Sequence, residues 1–165
     1  MNKDITTTDN HFLNLCIDLA KEALNAGDSP FGSILVDKDE NILAQARNRV
    51  NELNALAHPE YELAKWALDN LTREQRLKCT MYTSGEHCPM CSGALGLAEI
   101  GTVVYAASGE LLNKWLEELG VSLSPINLIP IEDVVKNVVV RGSAEGEILE
   151  RIKKLHIKSN STKKK

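Results

Sequence analysis

No stretch of the 165-residue sequence approaches the run of about 18 apolar residues that a membrane-spanning helix needs. The start, MNKDITTTDNH, lacks the apolar core of a secretory signal, so neither span nor export is predicted and a cytoplasmic location is the expectation. Cysteines are few. Cys16, Cys79, Cys88 and Cys91 cannot build a disulfide-dense scaffold, and in a reducing compartment the close pair points to metal or redox chemistry. Glycine and proline, at 10 and 5, are in no excess, which with 43% hydrophobic and 25% charged residues excludes collagen-like, low-complexity and disordered architectures. Internal repeats and long linkers are missing too, so one domain over residues 1–158 is expected, with a flexible Ser/Lys-rich tail at 159–165. Basic residues do not dominate: 19 Lys and Arg face 23 Asp and Glu, and residues 1–157 alone carry 15 against 23. An acidic body binds phosphate backbones poorly, which argues against a nucleic-acid partner.

What is there is an alternation of periodic segments. Phe12, Leu15, Cys16, Leu19, Ala23 and Leu24 recur at helical spacing over 9–26, with Asp9 as a candidate cap and Gly27 just beyond. Residues 32–36 and 41–50 read as two hairpin strands around the polar turn at 37–40. Pro59 opens a helix through Leu63, Trp66, Ala67 and Leu71, since the first turn loses nothing by lacking an N–H. A strand at 79–84 leads to a helix starting near Pro89, and the unalternating apolar run 102–107 suits a strand covered on both faces. Ser108 caps a helix with Leu111, Leu112, Trp115, Leu116 and Leu119 on one stripe, ended by Gly120. Residues 126–131 and 134–140 are further strand candidates, and Ser143 caps a last helix to about 157. Such alternation after a hairpin predicts an α/β fold with helices over a mainly parallel sheet and one antiparallel edge.

Two fragments carry chemistry: His58-Pro59-Glu60 at one helix start and Cys88-Pro89-Met90-Cys91 at the next. Two thiolates from a single turn and one imidazole make three ligands, which leave the fourth tetrahedral position of a catalytic zinc open. Two thiolates and a neutral imidazole also bring a zinc site to zero net charge. Glu60 would then carry protons rather than bind the metal. Two blander readings stand beside this one. A structural zinc clip needs a fourth protein ligand, for which Cys16 and Cys79 have no suitable spacing. A redox pair leaves His58 and Glu60 without a role.

The pattern resembles the zinc-dependent cytidine and nucleobase deaminase superfamily, whose signature is H-x-E with P-C-x-x-C downstream. Ser29-Pro30-Phe31-Gly32, Asn48-Arg49-Val50 and Tyr82-Thr83-Ser84-Gly85-Glu86 extend the resemblance toward guanine deaminases and tRNA adenosine deaminases, over about residues 9–120. It implies a three-layer α/β/α fold around a mixed, mainly parallel five-stranded sheet with an antiparallel edge hairpin. It also implies one zinc ion per chain held by His58, Cys88 and Cys91, Glu60 as the catalytic proton carrier, Asn48 on the substrate ring edge and Phe31 as an apolar pocket wall. The implied activity is hydrolytic deamination of a free nucleobase or similar amino-heterocycle, with guanine-like or isocytosine-like rings favoured and a homodimer as the assembly. tRNA adenosine deamination is the alternative, and a structural-zinc binding module the non-enzymatic one. Two positions depart from the signature. His87 replaces the proline before the first Cys and is not read as a ligand; Pro59 replaces a small residue and removes an N–H available to a substrate carbonyl. Phe31, Trp66 and Trp115 each have a core reading as well, and His11, His87 and His156 read as surface or structural side chains.

Overall fold

The structure, a computed structural model, describes residues 4–161. Its first helix, α1 (Thr7–Asn25), begins two residues earlier than the sequence suggests. Thr6, not Asp9, is the N-cap: Thr6 Oγ1 accepts from the Asp9 N–H at 3.1 Å, while the Asp9 carboxylate accepts from the Thr6 N–H at 2.9 Å. This reciprocal box satisfies two donors that the helix itself leaves free. The hairpin β1 (Gly32–Val36) and β2 (Ile42–Arg47) follows, its turn organised by Asp37 Oδ1, which accepts from the N–H groups of Asp39 and Asn41. Then come α2 (Pro59–Asn70), a short α3 (Arg73–Leu77), β3 (Thr80–Gly85), α4 (Pro89–Ala98) and β4 (Thr102–Ala107). The α3 turn has no buried residue, so no apolar stripe announces it; a Thr72–Gln75 capping box starts it.

The last third departs most from expectation. Ser108 does cap α5 (Gly109–Glu118), its Oγ accepting from the Leu111 N–H. The strand expected at 126–131 does not form: Pro130 removes a ladder donor within it, and Pro125 restricts the chain at its entrance. The chain instead runs irregularly into the short α6 (Ile131–Val134), and of the strand expected at 134–140 only the end survives, as β5 (Val139–Arg141). Ser143 does not cap the final helix. Its Oγ accepts from the Ser108 N–H, and α7 (Gly146–Ser161) opens three residues later. Residues 159–161, assigned above to a flexible tail, continue α7, and Ser159 and Asn160 are buried. The rest of that tail lies outside the described residues.

The sheet has the order β2-β1-β3-β4-β5. β1 pairs antiparallel with both β2 and β3, and β3–β4 and β4–β5 are parallel, giving the mixed five-stranded sheet with an antiparallel edge hairpin. Successive strand residues point to opposite faces, so the central strands feed two cores. Ile34, Tyr82 and Val104 pack with Phe12, Cys16, Trp115 and Ile152 beneath α1, α5 and α7. Their neighbours Leu35, Met81 and Val103 pack with Leu63, Ala67, Leu95 and Ile131 on the α2–α4 side. Gly32 lets α1 cross close to β1, since a Cβ there would sit 2.4 Å from Leu19 Cβ. Arg141 Nε and Nη2 and the Tyr82 hydroxyl donate to buried Asp9 at 2.8–2.9 Å, tying β5 and β3 to α1. No helix of the described residues is long and apolar enough to cross a membrane.

Candidate active site

The loops that leave β2 and β3 converge, and each ends in a helix whose N-cap is a potential ligand. His58 caps α2 and Cys88 caps α4, both with extended backbone, both followed by proline at the first helical position, and neither making a side-chain capping bond. Cap positions favour Ser, Thr, Asp or Asn. Here that local preference is set aside, and the two side chains point at one another instead. His58 Nδ1 lies 3.7 Å from Cys88 Sγ and 3.6 Å from Cys91 Sγ, and the two sulfurs are 3.6 Å apart.

These spacings test the metal. A tetrahedral zinc ion with Zn–S of about 2.3 Å and Zn–N of about 2.0 Å sets sulfur–sulfur edges of about 3.8 Å and sulfur–nitrogen edges of about 3.5 Å. The three donors fit that triangle, and they are the one His, Cys, Asp or Glu group among the described residues placed to hold a metal ion. No fourth His or Cys among the described residues joins it, as a structural clip would need. The neighbouring Cys91 thiol, followed by His58, holds the Cys88 thiol down at about 4 against the opposition of burial, while the same pairing and burial push Cys91 up. The His58 imidazole is raised, chiefly by its bond with Cys88.

Glu60 sits one position into α2 beyond Pro59 and is buried. The hydroxyls of Ser33 and Thr83 lie 2.9 and 2.8 Å from its Oε1 and 2.9 Å from each other. Ser33 on β1 is directly opposite Thr83 on β3, so sheet register places both hydroxyls beneath the carboxylate. Oε2 carries no hydrogen bond among the described residues. One oxygen is therefore anchored while the other remains available at the cavity.

That cavity, about 590 Å³, also takes in Asn48, Phe31, His58 and Cys88. Asn48 is fixed just past β2: its N–H donates to the Phe31 carbonyl at 2.9 Å, Oδ1 accepts from the Val50 N–H at 3.1 Å, and its own carbonyl accepts from Arg47 Nη1 at 3.0 Å. Arg47 is held in turn by Asp28 at 3.3 Å and by Glu52. Phe31 lies over Gly85, where an added Cβ would meet the ring at 3.0 Å. The structure thus brings together all six residues singled out from the sequence. Trp66 and Trp115 pack in the cores, and Cys16 and Cys79 are buried thiols.

The histidines are redistributed. His11 is exposed, as read. His87 is fully enclosed, with no hydrogen-bond partner for either ring nitrogen, and burial lowers its pKa. His156 is neither surface nor remote: it is 3% exposed and lines the cavity from α7, edge-on to Phe31 at a centroid distance of 5.1 Å. Burial depresses its pKa to about 4, so the ring is neutral at pH 7. Ser33, Glu86, His156, Ser159 and Asn160 escaped the sequence reading as site residues. Glu86 stood in a quoted motif, Ser33 and His156 sit in ordinary strand and helix text with no spacing signal, and Ser159 and Asn160 fall in the stretch assigned above to the tail.

The chain belongs to the cytidine and deoxycytidylate deaminase zinc-binding family, whose model matches residues 6–107. It is 34% identical over 117 residues to a protein of Schizosaccharomyces pombe described as a probable cytosine deaminase, covering 71% of each chain. It is 42% identical over 98 residues to the guanine deaminase of Bacillus subtilis, covering 58% of this chain and 62% of that one. With the tRNA-specific adenosine deaminase of Bacillus subtilis it shares 35% identity over 120 residues, 68% of this chain and 74% of the other. A solved guanine deaminase from Nitrosomonas europaea has the same fold at a TM-score of 0.63 and 20% identity, covering 91% of this chain and 83% of its own. The protein is thus a deaminase of this hydrolytic family, with His58, Cys88 and Cys91 positioned as its zinc site.

Proposed function

We propose that the protein hydrolytically deaminates a free nucleobase or a related small amino-heterocycle, converting a ring C–NH2 to C=O with release of ammonia. The observation that carries this reading is Glu60: one carboxylate oxygen anchored by two buried hydroxyls, the other unbonded, beside a zinc-shaped donor triangle in a cavity that also holds Asn48. Zinc bound by His58, Cys88 and Cys91 supplies Lewis-acid activation of water at neutral pH. Glu60 Oε2 accepts a proton from the attacking water, delivers it to the ring nitrogen, and passes the second proton to the departing amino group. Asn48 holds the ring edge and Phe31 packs against its face. Pro59 offers no N–H, so a carbonyl on the substrate must find its donor elsewhere, and this reading assigns that part to Asn48 Nδ2.

Guanine-like or isocytosine-like rings, with the amino group between two ring nitrogens, are the favoured substrates on the strength of Phe31 and the guanine deaminase likeness. The test is ammonia release by zinc-loaded protein from guanine, isocytosine, cytosine, adenine, their nucleosides and aminotriazines. Activity on a free base that disappears in Glu60→Ala supports the reading; silence across the panel from a zinc-replete protein overturns it.

Adenosine deamination in tRNA is the second reading, supported by the likeness to the Bacillus subtilis enzyme. A salt-sensitive tRNA gel shift with inosine formation would select it. We further propose that the described residues act as a single cytoplasmic deaminase domain working as a homodimer. The apolar strip Tyr61, Leu68, Ala94 and Leu97 on α2 and α4, with Leu97 83% exposed, supports self-association. Sedimentation at micromolar concentration, with a monomer from Leu97→Asp, tests it.

A further inference from the structure

The cavity is much larger than a nucleobase requires, and its lining is of two kinds. At about 590 Å³ it falls within the roughly 300–1,000 Å³ of sites that enclose drug-sized ligands. One part of its lining carries His58, Cys88, Glu60 and Asn48. Another part is mainly apolar, formed by Leu56, Leu112, Leu116, Val121, Ile126 and Leu128, with Ser122 and Ser124 as its polar members. Among the described residues lining it there is no Lys or Arg.

This wall is built into place. Glu86, two residues before Cys88, accepts from the Gly109 N–H at 2.9 Å and from the Ile131 N–H at 3.0 Å. A single side chain therefore clamps both ends of the 109–131 segment, which supplies five of the six apolar wall residues, and fixes that segment to the metal-ligand loop. The Gly109 bond takes the first N–H of α5, so a phosphate arriving there would meet a carboxylate. With no Lys or Arg among the described residues that line the cavity, a buried phosphate would find no side-chain cation in that wall. At the mouth, Leu56 and Ile126 stay 58% and 46% exposed, apolar surface left for a ligand to cover.

We propose that this apolar wall is a subsite for an apolar alkyl or aryl substituent, and that the substrate is an uncharged, unphosphorylated amino-heterocycle carrying one. The inference rests on the deaminase reading and narrows its substrate class.

The experiment uses two forms of the full chain. Binding is measured by calorimetry on zinc-loaded Glu60→Gln, and turnover by ammonia release from the zinc-loaded wild type. The probes are isocytosine, cytosine and guanine, each bare and with propyl or phenyl groups on the available ring carbons, together with the nucleoside 5′-monophosphates. A buried methylene is worth about 0.8 kcal/mol, or about fourfold in affinity. A propyl derivative of the accepted ring should therefore bind at least tenfold more tightly than the bare ring, and the monophosphates should not bind measurably. Leu116→Asn should reduce the substituted-to-bare affinity ratio about tenfold, and Ile126→Asn, at an exposed rim position that tolerates polarity, should reduce it about threefold. The proposal is overturned if no substituted ring outbinds its bare parent, if a monophosphate binds best, or if tRNA binds in a manner that Ile126→Asn weakens. Substituted rings that bind tightly yet release no ammonia would sink the deaminase reading and leave the subsite standing.

Discussion

The stretch from Thr6 to Ala107 and the stretch from Ser108 to Ser161 build one cavity by different rules. The first carries every metal donor, Glu60 and Asn48, and its four strands and three principal helices fall close to where periodicity puts them. The second supplies all but Leu56 of the apolar wall, and His156, and there a predicted strand is missing, another is reduced to its end, and the last helix is shifted. The difference lies in what each task demands. Holding an ion requires particular atoms at particular spacings, so the text that encodes them is constrained and legible. Walling a cavity requires only bulk without charge, which many segments provide in irregular conformations.

The sharpest way to test that division is to remove a donor. Cys91→Ala should abolish stoichiometric zinc in metal analysis and reduce ammonia release at least about 10⁴-fold, since neither protein ligand nor proton carrier alone activates water. A comparable truncation in the second region, Leu128→Ala, should retain zinc. Retained metal in the Cys91 variant would break the comparison. Glu60→Gln, which keeps size and hydrogen bonds, should bind zinc normally and lose about 10²- to 10⁴-fold in kcat.

The next effect belongs to the second region and concerns stability. His156 has a folded pKa of about 4 because it is buried, against about 6.5 when unfolded. Between these values the unfolded chain binds the extra proton, so stability rises with pH across this window and is lost as pH falls through it. The loss should total about 3 kcal/mol from pH 7 to pH 4 in urea titrations. His156→Phe should flatten most of that limb, leaving a contribution from buried His87, and an unchanged limb would place the titration elsewhere. Asp9 acts lower. Burial opposes its ionisation, but Arg141, the Thr6 N–H and Tyr82 together hold its carboxyl below the usual range, so its stabilisation fades only below about pH 4.

The smallest predicted change examines how the first region orients its proton carrier. Thr83→Val deletes one hydroxyl from Glu60 Oε1, a bond to a carboxylate worth about 1.5–3 kcal/mol, and should lower kcat about 10- to 100-fold with KM little changed. Thr83→Ser should restore most of it, and a loss confined to KM would argue that the hydroxyl touches substrate instead.

How far the sequence could be read follows from the range of the forces involved. His58, Glu60, Cys88 and Cys91 stand out because helix starts and one-turn spacings are local, and Pro59 and Pro89 mark those starts in the text. Leu63, Ala67 and Leu95 were legible as helix faces because burial repeats with the helical period. By contrast α3 buries nothing, so it left no period to detect, and 126–131 combined strand-like residues with Pro130 inside and Pro125 just before, which decided against pairing. Ser33 looks like any small strand residue until register sets it opposite Thr83, 50 positions away, beneath the carboxylate. His156 reads as one polar residue in a lysine-rich helix, and becomes a neutral cavity wall only because α7 packs against α1 and buries it beside Phe31 and Trp115. Donor chemistry, helix starts and the β/α alternation are short-range properties and are encoded within a few residues. The anchoring of Glu60, the place of His156 and the apolar wall depend on which distant segments meet, and that is settled by the packing of two cores on one sheet.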